Sequence, residues 1–366
     1  MSVFTRSSSR RSSGSSGYSR AVRSVPSALR VYALAVCLAV GSAIVAVTVS
    51  AAYDIPLRDP DGLAGPAYIR LPAVVLLFVL ADVIPRAVHR RGKLLTILRE
   101  RYSPARLALV VVGLASFYVT YVAYRNLKGA LPFARPRLYD AELTAIDRAI
   151  GFGHDPGELL HALLGTGFSA YFLSGVYLFF LAFVPLSLGA ALVWGRSARL
   201  GSWYVTALCL NWLLGTASYF LVPSLGPIFW LPEVYADLPD TGVAALQESL
   251  QSARIRVLDD PDRADALAGI AGFASLHTSI VFTAALMAHW LRMSWIVRWA
   301  MWVFLLLTIV ATAYFGWHYL LDDVAGLIIG ALSVVIAERA TRHTDPEPGE
   351  PSLATSDRQP PVAKAA

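Results

Sequence analysis

The feature that most limits the folds open to this chain is a series of long apolar blocks. The first, Val31–Tyr53, contains no charged side chain. Runs of about 18 or more apolar residues mark helices that cross a bilayer, because in hydrocarbon every backbone N–H and C=O must be satisfied within the segment itself. Seven more blocks follow: Leu71–Val88, Leu107–Leu127, Ala170–Trp194, Ser202–Val222, Ser275–Leu291, Ile296–Gly316 and Tyr319–Ala337. The expected fold is therefore all-α, a polytopic transmembrane helical bundle of about eight spans. Composition supports this, with 56% apolar and 15% charged residues. A soluble chain of 366 residues would ordinarily form two or more domains. The least regular block is the second, which holds Asp82 and Pro85.

Charge sets the expected topology. The net charge is +6, and the basic residues gather in short segments between blocks, a membrane pattern rather than a nucleic-acid surface. Residues 1–30 are rich in Ser and Arg, and residues 339–366 in Pro, Glu and Ser; both read as disordered cytoplasmic tails. With the N-terminus cytoplasmic, the Arg- and Lys-rich 86–106 loop, Arg196, Arg199, Arg292 and Arg298 fall on the same side. The acid-rich segments 54–70, 128–169 and 223–274 fall on the other. Ser50-Ala51-Ala52 offers small residues for signal cleavage, but the preceding block exceeds a usual signal core, so a retained helix is expected. Cys37 and Cys209 both lie inside apolar blocks, which leaves neither a disulfide framework nor a cysteine metal site.

Gly151-Phe152-Gly153 lacks the third glycine and the strand of a nucleotide loop, and no His/Glu zinc signature occurs. Three polar clusters remain. Lys128 and Arg135-Pro136 follow the third block; together they suit a phosphate, although basic residues also flank spans as interfacial anchors. Ser275-Leu276-His277 opens the sixth block, where a helix N-terminus offers N–H groups to anions; Ser275 is equally an ordinary N-cap. His318 and Asp322 stand four residues apart, so on a helix they share a face, and a carboxylate on one imidazole nitrogen leaves the other as nucleophile or base. All three clusters fall on the side opposite the basic loops.

Lys128 with Arg135-Pro136, Ser275-Leu276-His277, and His318 with Asp322 resemble the three signature motifs of the type 2 phosphatidic acid phosphatase (PAP2) superfamily. The resemblance covers roughly residues 107–338, preceded by N-terminal transmembrane helices over 31–106. It implies a six-helix core and a metal-independent enzyme without cofactor, acting on lipid phosphates at the membrane surface. It implies His318 as nucleophile through a phosphohistidine, Asp322 as its orienting group and His277 as acid. It implies Lys128, Arg135 and Ser275 as phosphate ligands. Two departures stand out: Ala274-Ser275-Leu276-His277 replaces Pro-Ser-Gly-His, and Ala311-Thr312 replaces the Ser-Arg six residues before the third-motif histidine. The Ser-Leu-His and His-Tyr-x-x-Asp forms, with Asp140 and Asp147 upstream, are similar to the inositol phosphorylceramide synthase branch, in which the acceptor is a lipid alcohol rather than water.

The expectation is a lipid phosphotransferase at the extracytoplasmic face of the plasma membrane, with a lipid phosphatase as the alternative. A lipid-binding or transport protein, its polar path lined by Asp82, Asn211 and Asp322, is a remoter one. Thr241–Asp265 reads as an amphipathic helix that caps the site, or else as a solvated loop.

Overall fold

A computed structural model describes residues 25, 27–60, 65–90, 93–195, 197–261 and 267–342, and these contain helices and no strands. Most of the expected N-terminal tail, and the C-terminal tail from 343 on, lie outside the described residues. The helices are α1 (Ala33–Tyr53), α2 (Ala67–Arg90), α3 (Leu94–Arg101), α4 (Pro104–Ala134), α5 (Asp140–Ile150), α6 (Pro156–Leu164) and α7 (Phe168–Trp194). They continue with α8 (Ala198–Leu221), the single-turn α9 (Pro227–Trp230), α10 (Gly242–Asp259), α11 (Leu276–Trp290), α12 (Trp295–Tyr314) and α13 (Leu320–Thr341). Ser103, Ser197, Thr241, Ser275 and Ser294 each accept a hydrogen bond from the N–H three residues on, which fixes where α4, α8, α10, α11 and α12 begin. Such a cap contributes about 1 kcal/mol.

Seven of these helices are long and apolar enough to cross a membrane. The block expected over Ser275–Leu291 is also helical, but α11 has only 15 residues. Its end is set by Arg292, whose φ of 49° breaks the helical path before Ser294 caps the next helix. The irregular second block is a single helix that includes Pro72 and Pro85. Its Asp82 is buried, accepts from the Arg86 guanidinium, and lies 3.4 Å from Arg101 Nε and 3.3 Å from the Tyr102 hydroxyl. Pairing is what makes an internal carboxylate tolerable there.

The bundle is organised around α8. Of its most apolar window 72% is buried, against 22% for α1. The packing runs from α1 to α4, α8, α13, α11, α12, α7 and α2 in turn. Large apolar residues such as Val40, Leu77, Leu306 and Ile328 face outward, as the lipid-facing side of a bundle requires. On α13, Gly326 and Gly330 permit close approach: a Cβ there would meet the carbonyls of Ser275 and Ser279 at 2.4 and 2.7 Å. Small residues at this crossing bring α11 and α13 together and so bring their N-terminal ends side by side.

Candidate active site

The two clusters at the starts of α11 and α13 meet where those helix ends converge. The Ser275 N–H donates to the Asp322 carbonyl at 2.9 Å, tying one helix start to the other. His277 lies in the first turn of α11, while His318 lies in the turn before α13 and not on the helix. The contact expected from a shared helix face therefore forms differently. Asp322, in the first turn of α13, reaches back, and its Oδ2 takes both the Tyr319 N–H at 3.0 Å and His318 Nδ1 at 3.3 Å. One carboxylate oxygen thus caps the helix and orients the imidazole. Gly272 lies beside it: a Cβ at that position would be in ordinary contact with Asp322 Oδ2 at 3.4 Å but would press on Ser224 Oγ at 2.7 Å.

His318 Nε2 faces His277 Nδ1 at 3.2 Å. An ionised carboxylate only accepts, so with Asp322 ionised Nδ1 of His318 carries the hydrogen and Nε2 holds the lone pair. His277 Nδ1–H is then the donor to Nε2. This assignment follows from the hydrogen-bond chain. His318 is 6% exposed, and burial holds its imidazole down to about 4, with Asp323 opposing this and Lys128 adding to it. It is neutral at physiological pH, as a nucleophile must be. The His277 ring packs against Tyr177 and Phe180, with centroids 4.7 and 4.4 Å away.

The remaining expected ligands are distributed unevenly. Lys128, on α4, is half-buried with its Nζ 5.1 Å from the centroid of Tyr219, and its charge acts on His318. Arg135 ends the same helix, exposed and without a hydrogen bond or ion pair from its side chain among the described residues. It stands two turns beyond Lys128. Ser275 is fully buried, and its hydroxyl serves the α11 cap and lies 3.3 Å from Thr278 Oγ1. Asp323, which the sequence marks only as the second acid of a pair inside an apolar block, accepts from Thr278 Oγ1 at 2.5 Å and so clamps α13 to α11. Its position beside Asp322 was the available signal. Tyr177 and Phe180 gave none, being ordinary residues of an apolar block. Asp82 and Asn211, expected on the transport reading as parts of a polar path, each have side-chain partners. Asn211 bonds Ser279, Thr283 and the Ala207 carbonyl, far along the chain from the Asp82 cluster.

Two acids from α5 brace the site. Asp140 is fully buried and accepts from the N–H groups of Leu225 and Gly226 and from the Tyr319 hydroxyl, each at 3.0 Å. It thereby fixes the turn at Gly226, whose φ of +105° and contact with the Trp317 carbonyl admit no side chain. Asp147 receives the Leu320 N–H on both oxygens, at 3.1 and 3.2 Å, at the very start of α13. With Asp155, Tyr235 and Tyr319 it walls a small cleft that reaches His318.

Asp147 and His318 titrate with opposite consequences. Burial, reinforced by the Asp322 charge, raises Asp147 from 3.8 to about 7, so between those values the folded chain binds more protons than the unfolded one. That contribution to stability is present at low pH and is lost as pH rises through about 7. For His318 the folded value lies below the ordinary 6.5, so its contribution is lost as pH falls from 6.5 towards about 4. Asp147→Asn keeps the acceptor and removes the first titration. Its melting temperature relative to wild type is expected to rise between pH 5 and pH 8. A difference that is flat or falls over that range, by thermal unfolding in detergent, would contradict the assignment.

Fold and site together define a multi-pass helical membrane protein with a His–His–Asp centre at one end of its bundle. A family model for the PAP2 superfamily matches residues 141–336, and the chain belongs to that superfamily. Membership supports a function of phosphatase or phosphotransferase type. The match takes in His277, His318 and Asp322 and begins after Lys128 and Arg135. No curated protein and no solved structure matches the chain.

Proposed function

We propose that this protein is a membrane lipid phosphotransferase that works through a phosphohistidine. The observation that carries this reading is the chain of contacts from Asp322 through His318 to His277. In the first step His318 Nε2 forms a bond to phosphorus, the bond from phosphorus to the leaving oxygen breaks, and His277, which enters the step as the imidazolium, gives that oxygen a proton and is left neutral. In the second step a lipid alcohol attacks the phosphohistidine, His277 takes the alcohol's proton, and the N–P bond breaks. Water in place of the alcohol gives a lipid phosphatase, which is the alternative outcome. Lys128, with the phosphate ligands expected above, lends positive charge to the phosphoryl oxygens, and the reading calls for no metal. The catalytic unit is taken as 107–338, because Lys128 lies on α4. The bias of basic residues supports cytoplasmic termini and an extracytoplasmic site in the plasma membrane.

Phosphate release and phosphoryl exchange are the test. Purified protein in chelator is given lipid phosphates and intact phospholipids, with and without lipid alcohols. Product that depends on the alcohol supports transfer, and free phosphate alone supports hydrolysis. Neither product from any lipid would overturn the reading.

The segment expected as an amphipathic cap is helical from Gly242 to Asp259, while 262–266 lie outside the described residues. Helix α10 is seated on α7, with Ser174 Oγ accepting the Val243 N–H at 3.3 Å and the Gln247 amide donating to the Phe315 carbonyl at 2.8 Å. Its Leu246 and Leu250 pack beside Tyr177 and Trp317, close to His277. We take it as the element that selects the lipid. Deleting residues 240–262 is expected to change the relative rates on a panel of lipids several-fold. Unchanged ratios across the panel would sink the idea.

A further inference from the structure

The expected phosphate ligands leave a deficit of charge. Ala311 and Thr312 occupy the places where the resemblance calls for Ser-Arg, and Thr312 is fully buried with its hydroxyl donating to the Ile309 carbonyl at 2.9 Å. No cation reaches the site from that part of α12. Arg135 is exposed at the end of α4. Of the expected cations this leaves Lys128, next to a site that holds the buried carboxylates Asp322 and Asp323. A phosphoryl group brings further negative charge and needs more than one fixed donor to hold it.

One turn before Lys128 on the same helix stands Arg125, to which no role has been assigned. Residues three apart share a helix face. The two cations border the same ring: Lys128 lies over Tyr219, and Tyr219 is also among the groups acting on Arg125. The other neighbours of Arg125 are the phenols Tyr121, which hydrogen-bonds to its guanidinium, and Tyr124. Neither Arg125 nor Lys128 has a carboxylate within ion-pair distance among the described residues. Arg125 Nε is buried and has no hydrogen-bond partner. A buried guanidinium is costly unless its donors are used, and Asp82 with Arg86 and Arg101 shows how this chain pairs its charges elsewhere.

Position points the same way. A Cβ on Gly269 would lie 3.7 Å from Arg125 Nη2. Three residues further along that strand of loop, a Cβ on Gly272 would lie 3.4 Å from Asp322 Oδ2. Three residues span at most about 11 Å, so one short loop borders both the Arg125 guanidinium, which has no carboxylate partner among the described residues, and the orienting carboxylate. We propose that Arg125 is a phosphate ligand, and that with Lys128 it forms an anion clamp on α4 replacing the arginine missing from α12. Its planar fork takes two phosphoryl oxygens while Lys128 acts as a point charge. The ligand class is a phosphate monoester or diester headgroup. This assignment rests on the phosphoryl-transfer reading given above.

Binding of inorganic phosphate and of orthovanadate to the full-length protein in nanodiscs tests the clamp without depending on turnover. Arg125→Gln is expected to weaken binding on the order of 30-fold, the effect of removing a charged hydrogen-bond donor. Arg125→Lys, which keeps the charge and loses the fork, is expected to weaken it about tenfold. Wild-type affinity in Arg125→Gln overturns the assignment of Arg125 and leaves the phosphoryl site standing. Absence of phosphate and vanadate binding by the wild-type protein overturns both. If Arg125→Gln does not fold, Arg125→Lys decides: a tenfold loss supports the clamp, and unchanged affinity overturns it.

Discussion

Replacing His318 with alanine is expected to abolish phosphoryl transfer, with kcat falling at least about 10⁴-fold. Loss of a covalent nucleophile leaves only what binding and fixed charges contribute. The geometry makes this the most sensitive position. Nε2 is the only nitrogen of that imidazole left free by Asp322, and it is the atom turned towards His277. A second readout separates the role from a structural one. Brief incubation with a labelled lipid phosphate should leave acid-labile, base-stable label on the wild-type chain and none on His318→Ala. His277→Ala should still accumulate label from a substrate with a good leaving group, because its proton is then not required. Equal label on wild type and His318→Ala would exclude His318 as the nucleophile.

Asp322→Asn is expected to lower kcat about 10³-fold with little change in KM. Asparagine can still accept the Tyr319 N–H, so the helix start survives. The same oxygen position faces His318 Nδ1, so a neutral amide there no longer offsets the charge that the imidazole gains when Nε2 bonds to phosphorus. The comparable change in serine proteases costs about 10⁴-fold. Asp322 is thus a positioning residue, and the diagnostic is the split between kcat and KM. If the variant lost stability and affinity together but kept kcat, Asp322 would be no more than a cap. Asp322→Ala should be worse in both respects, because it also strips the Tyr319 N–H of its acceptor at 3.0 Å.

The bundle was legible because apolar length is a local property: each block carries its own evidence of being a helix. The exception is α11, where the block Ser275–Leu291 reads as a span but is trimmed by a cap at one end and a left-handed residue at the other. The histidines and Asp322 were legible through spacing, although the reason for their contact was not. A shared helix face was expected, whereas His318 sits ahead of the helix and Asp322 reaches it by capping. Asp323 with Thr278, and the ring pair around His277, depend on how two or three helices pack, which no single segment encodes. For Arg135 the sequence shows the spacing from Lys128 but not that α4 runs unbroken through Pro132 to Ala134, which places the two residues two turns apart along one helix.

The brevity of α11 bears on where a lipid substrate, as proposed above, would meet the histidines. Fifteen residues of helix measure about 22 Å, against a hydrocarbon slab of roughly 30 Å. Exposed Trp290 and Trp295 flank its far end, the kind of residue that rests at a headgroup boundary. With those tryptophans at one boundary and α11 upright in the bilayer, the end bearing His277 would lie roughly 8 Å beneath the opposite boundary. On the lipid reading proposed above, a headgroup must move below its neighbours to arrive there. Turnover should therefore respond to the thickness of the surrounding bilayer, rising in short-chain lipids that bring the interface down to the histidines.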